Sequence, residues 1–234
     1  RFNMIMGGLH LIQGLLMILL GLTVSQFGDF KLTIYQHYLQ FIETTPGNGY
    51  LAFARSEAFT VPFFVLVASF LLISALAHAL ISFPKKINDQ YNKDLEQGIN
   101  RLRWFEYALS SSVMIVLIAY LFGISDIASL VLIFLVNASM NLFGLLMEQL
   151  NSGKSKEEVN WGPFIWGSIA GLAPWIAIIF YMTGASPEAT AQTPWFVWAI
   201  IGTYFVAFNS FPINMILQYL EKGKWMNYLY GERG

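Results

Sequence analysis

Six apolar stretches dominate this chain, and each is long enough to cross a bilayer. A spanning helix needs about 20 predominantly apolar residues. Residues 3–24, 57–82, 102–123, 125–149, 161–182 and 194–220 meet that requirement. Hydrocarbon offers no water to the backbone, so such stretches must satisfy their own amides, and they fold as helices. The short link at 123–126 forces antiparallel neighbours, which predicts an all-α, up-and-down membrane helix bundle. Charge density agrees: 12% of the 234 residues are charged, where a soluble domain carries about 25%. Residues 1–234 read as one transmembrane domain.

Orientation follows from where the cations lie. Arg1, Lys85, Lys86, Lys93, Arg101, Arg103, Lys154, Lys156, Lys222, Lys224 and Arg233 all fall on one side of the predicted bundle. The other side holds only Lys31 and Arg55. The basic side predicts a cytoplasmic N-terminus in a multi-pass protein of the cell membrane. The chain begins at Arg1 rather than Met, so we expect residues before it, and the first apolar segment is too long for a signal-peptide core. A net charge of −1 gives no reason to expect a nucleic-acid partner. Without cysteine, thiolate metal sites, disulfides and cysteine nucleophiles are excluded.

The external link at 25–55 is long for a compact bundle, and such links tend to carry a role. Phe30, Leu32 and Ile34 alternate with Lys31 and Thr33, and TTPGNGY supplies a turn before the short run YLAFA. This predicts a short external β-hairpin that serves as a lid or a subunit contact, with plain surface decoration as the alternative.

Three ionisable groups lie inside the apolar segments at matched depth. His10 is roughly 10 Å along the first segment at 1.5 Å per residue. His78 approaches the same side from the second segment, and Glu106 lies about one turn into the apolar part of the third. An intramembrane acid is expensive unless paired or protonated, so Glu106 is a functional candidate. Headgroup snorkelling is the ordinary alternative. Gln13 lies one turn from His10, Ser74 one turn from His78, and the five residues are expected to form one polar cluster. The first segment also carries Gly7, Gly14 and Gly21, a small-residue stripe that admits a close neighbour.

Other motifs fail. Gly153-Lys154-Ser155 resembles the end of a phosphate loop, but Glu148 stands where its first glycine belongs. The histidines lack i, i+4 spacing on one helix, so no metal site is expected. No nucleophile and base fall within reach of one another, so no enzyme is expected.

RFNMIMGGLHLIQG at the start, RWFEYALSSS on the third segment and FNSFPINMILQYLEKGKW near the end resemble heliorhodopsin. The resemblance covers the whole chain. It implies a seven-helix retinal protein with a cytoplasmic N-terminus, the orientation that the cations give independently. It further implies all-trans retinal held as a protonated Schiff base, with Glu106 as counterion. His10, Gln13, Ser74 and His78 match the polar cluster on the cytoplasmic side of the Schiff base. Ser111, Met114, Asn137, Trp166, Phe205 and Phe208 match pocket positions. The family's retinal lysine lies on a seventh helix, expected here after Gly234, so the attachment residue is unknown.

The function these readings imply is light sensing, with the Schiff-base proton released to the cytoplasmic-side polar cluster and an output to a cytoplasmic signalling partner. A light-driven or light-gated proton or ion transporter is the first alternative. It would require a relay through both membrane halves, whereas Glu106 is the one deep carboxylate. A scaffold whose polar cluster only specifies helix packing is the second. In each case the glycine stripe and the hairpin predict a homodimer in the lipid bilayer.

Overall fold

The computed structural model describes residues 2–220. Six helices in it are long and apolar enough to cross a membrane: α1 (Phe2–Thr23), α3 (Phe63–Ser82), α5 (Arg101–Leu121), α6 (Ile127–Asn151), α7 (Gly162–Gly184) and α9 (Trp195–Tyr219). Short helices α2 (Ser25–Gly28), α4 (Lys85–Glu96) and α8 (Pro187–Gln192) lie in the links, with one 3-10 turn at Lys156–Glu158. The helices stand in sequence around the bundle, α1 against α3, α3 against α5, α5 against α6 and α6 against α7. Among the spans α5 is the most enclosed and α9 the least.

Lipid tails are as apolar as leucine, so close backbone approach and interhelical hydrogen bonds replace the hydrophobic effect in holding spans together. The glycine stripe of α1 shows how. A Cβ at Gly7 would come 2.8 Å from His78 Cβ, and one at Gly14 would come 2.8 Å from Leu72 Cδ2. At Gly21 it would meet the Phe64 ring at 2.2 Å. The stripe is therefore consumed inside the chain against α3. That corrects the expectation that it supplies a face for a homodimer. Trp104 of α5 sits over Gly144 of α6 in the same manner. By contrast, α9 reaches the bundle through aromatic rings: Phe211 meets Tyr107, Trp198 meets Phe122, and Tyr219 meets Trp161.

The hairpin is present and larger than expected. Strands β1 (Lys31–Thr45) and β2 (Asn48–Pro62) pair antiparallel. Each has 15 residues, about 50 Å of strand at 3.3 Å per residue. Gly47, with φ of 79°, follows Pro46 in the two-residue turn, the pattern of a type II turn. Residues 57–62, expected at the start of the second span, belong to β2. Pro62 then ends the strand as the N-cap of α3.

The base of the hairpin is seated on the joint between α5 and α6. Leu32 and Ile34 are buried, and Ile34 joins Ile115, Ile118, Ile124, Ile133 and Trp175 in the outer core. Thr33 donates its amide to Tyr120 Oη at 2.9 Å, and Tyr120 returns its hydroxyl to the Thr33 carbonyl at 3.2 Å. Tyr35 donates to the Ser125 carbonyl at 2.9 Å. Asp126 N-caps α6, its Oδ2 accepting from Ser129 N at 2.9 Å and Ser129 Oγ at 3.0 Å. Its Oδ1 accepts from His37 Nδ1, also at 3.0 Å. Burial opposes ionisation of Asp126, but the Ser129 and His37 hydrogen bonds win and hold its carboxyl below the ordinary value.

Candidate functional site

Three spans converge on Glu106. Ser74 and His78 are four residues apart on α3 and share a face. Ser74 Oγ donates a short hydrogen bond to Glu106 Oε1 on α5. His78 stacks on His10 of α1, ring centroids 5.9 Å apart and planes 11° from parallel. The close contact at Gly7 lets the two imidazoles meet. Both Nδ1 atoms are buried without a hydrogen-bond partner among the described residues. Gln13 is exposed on α1 and hydrogen-bonds to none of these residues.

Glu106 has a hydroxyl donor and, among the described residues, no cationic partner. Arg103, three residues before it on the same helix, pairs instead with buried Glu148 of α6. Glu148 Oε2 also accepts the Asn100 amide at 2.7 Å, fixing the start of α5.

A second polar group joins α5 to α6. Asn137, fully buried, donates from Nδ2 to Ser111 Oγ at 2.9 Å and to Ser112 Oγ at 3.0 Å. Asn141 Nδ2 reaches Ser111 Oγ at 3.1 Å and the Asn137 carbonyl at 2.9 Å. Ser111 Oγ in turn donates to the Tyr107 carbonyl at 2.6 Å. Met114, three residues on from Ser111, is half-buried.

An aromatic group closes the outer side. Trp175 of α7 is 5% exposed and touches Tyr204, Phe205 and Phe208 of α9 at centroid distances of 5.8, 5.1 and 5.7 Å. Tyr204 Oη donates to the Ser111 carbonyl at 3.4 Å, tying this group to the polar one. A Cβ at Gly171 would come 2.6 Å from Met140 Sδ, so the glycine leaves room for that side chain of α6. Trp166 is not part of the arrangement: it is 60% exposed and shares no ring contact with it. Trp175 and Tyr204 were visible in the sequence only as members of aromatic-rich segments. The proline before Trp175 was the one local mark of it.

Together these groups bring a carboxylate held by a hydroxyl, two imidazole nitrogens without a hydrogen-bond partner among the described residues, and an aromatic wall onto the same bundle. That set fits an elongated apolar molecule with one cationic end. No lysine lies in any of the six spans. The family model described as Heliorhodopsin matches residues 1–234, the full length of the chain. A comparison with curated proteins gives no match.

Proposed function

The chain belongs to the heliorhodopsin family, and on that premise we propose that it senses light by passing a proton to the His10/His78 pair and signals rather than pumps. It is a retinal-binding, light-sensing membrane protein of several spans. The retinal, when bound to a lysine outside the six spans, supplies visible absorption and a protonated imine at its cationic end. Glu106 holds the negative charge that raises the proton affinity of such a group. Ser74 fixes the carboxylate by donating to Oε1. His10 and His78 present unpartnered Nδ1 atoms at the same end of the spans and accept the released proton. Ser111, Met114, Asn137, Phe205 and Phe208 line the apolar part, with Trp175 beside them.

The observation that carries the reading is the one-sided distribution of charge. His10, His78, Arg101, Arg103, Glu106 and Glu148 are all the Asp, Glu, Lys, Arg and His residues within the spans. Each falls in the half that holds the N-terminus of α1. A pump needs stations in both halves; the half beneath the hairpin offers none. By the distribution of Lys and Arg this N-terminal side is cytoplasmic, so the proton stays on the side where a signalling partner would read a change in helix packing. The exposed Phe41, Leu51 and Phe53 of the hairpin supply the face for a homodimer.

The test is a visible spectrum of the full-length protein with all-trans retinal, before and after hydroxylamine in light. A bleachable band is expected, and its absence from folded protein overturns the photoreceptor reading. Glu106→Gln should move the band strongly to the red; an unchanged band at neutral pH removes Glu106 as counterion. Sustained acidification or alkalinisation by illuminated vesicles would replace sensing with transport.

A further inference from the structure

We propose that the groove between α3, α4 and α5 binds the headgroup of an anionic phospholipid from the leaflet on the N-terminal side. The groove has a volume of about 490 Å³, within the size range of small-molecule sites. Its walls are Ile81 at the end of α3, Leu102 and Phe105 at the start of α5, and Ile87 and Tyr91 on α4. Those positions mark the depth at which two spans leave hydrocarbon. Ile87, Tyr91 and Leu95 recur every fourth residue of α4, while the remaining positions are Lys, Asn, Asp, Gln and Glu. A helix of that pattern lies along the interface with its apolar side down.

The polar groups of the groove leave a net positive charge. Asp94, 6% exposed, accepts from Arg101 Nε at 3.1 Å and from Gln90 Nε2 at 2.9 Å. Its charge is thereby used within the groove. The terminal nitrogens of Arg101 and the ammonium of Lys86 have no acceptor among the described residues, and both side chains line the same space. Asp89, the neighbouring acid on α4, is not part of the lining. Cationic tips stand above an apolar floor, and Phe105, 53% exposed, opens that floor sideways to lipid. A phosphodiester above acyl chains matches both parts, whereas a soluble anion would use the tips and leave the floor bare.

The experiment places the full-length protein in nanodiscs of phosphatidylcholine and phosphatidylglycerol, extracts it in mild detergent, and counts retained lipid by native mass spectrometry. Phosphatidylglycerol should be retained over phosphatidylcholine. Lys86→Gln should lower that retention roughly five-fold, the scale of one lysine near an anionic surface. Gln90→Glu, which adds a carboxylate to the groove, should lower it as well. Lys93→Gln, outside the groove, should leave it unchanged, and circular dichroism melts should show all three variants folded. Equal retention in wild type and Lys86→Gln overturns the proposal. So does displacement of the lipid by excess inorganic phosphate, which would make this a phosphate site, or by an acidic peptide, which would make it a protein-docking site.

Discussion

The α5–α6 and α1–α3–α5 junctions both bury polar side chains at membrane depth, yet they treat them in opposite ways. Between α5 and α6, Ser111 Oγ accepts from Asn137 and Asn141 and donates to the Tyr107 carbonyl, so its capacity is filled. Within that network Asn137 Oδ1 alone lacks a partner among the described residues, and elsewhere on the junction Trp104 Nε1 lacks one too. Around Glu106, both imidazole Nδ1 atoms are without a partner and the carboxylate has Ser74 alone among the described residues. A satisfied network rigidifies and specifies packing, while an unsatisfied buried group costs free energy that packing does not repay. The first junction is built for fit. On the proposed function, the second keeps places for a proton and a cation.

The largest effect should come from the satisfied side. Asn137→Ala removes two donated bonds and opens a cavity at a fully buried position, and should cost about 2–4 kcal/mol in a thermal melt of the full-length protein. A cost near zero would erase the contrast.

Asp126 sharpens it from outside the spans, as a carboxylate with three donors where Glu106 has one among the described residues. Asp126→Ala loses the α6 cap, worth about 1 kcal/mol. Because its folded-state pKa is depressed, Asp126 adds stability above the ordinary value of 3.8, lost as pH falls through the depressed one. The variant should therefore melt with a shallower acid dependence than wild type. Identical acid limbs would show that the hydrogen bonds do not set the titration.

His78→Phe should likewise cost the fold little. It keeps a stacking ring on His10 and removes an orphaned nitrogen, so the melt should change by less than about 1.5 kcal/mol. Light-induced proton uptake at the cluster, followed by flash spectroscopy with a pH dye, should fall sharply. A large loss of stability with unaltered uptake would reverse the roles assigned to the two junctions.

What could be seen in the sequence was what depends on one element at a time. Long apolar runs gave the spans, and rise per residue put His10, His78 and Glu106 at one depth. The hairpin followed from alternation and a Pro-Gly turn, but its far end did not. Residues 58–62 are apolar or β-branched and suit strand and helix alike, and only pairing with β1 decides between them. The helix α4 was hidden by its Asn, Asp and Lys content, although Ile87, Tyr91 and Leu95 carry a four-residue period. Facing directions were the least accessible. Gln13 and Trp166 have suitable depth and chemistry, yet both are exposed, because rotation about each helix is set by neighbours such as Leu72 against Gly14 and Phe143 against Gly167.

The seat of the hairpin also sets an order of events during synthesis. Thr33 and the tyrosine that holds it are 87 residues apart, so at 5–20 residues per second roughly 4–17 s separate their emergence from the ribosome. A hairpin closes in about 1–10 μs once its strands are clear. The β1–β2 ribbon is thus complete long before Tyr120, Ser125 and Asp126 exist to receive it. Throughout that interval the amides and carbonyls later paired at Thr33 and Tyr35 lie bare on a sheet edge, the surface by which nascent chains join one another. Slowing the arrival of α5 would lengthen the exposure, so the yield of this protein should depend on elongation rate between β2 and α6 more than on its final stability.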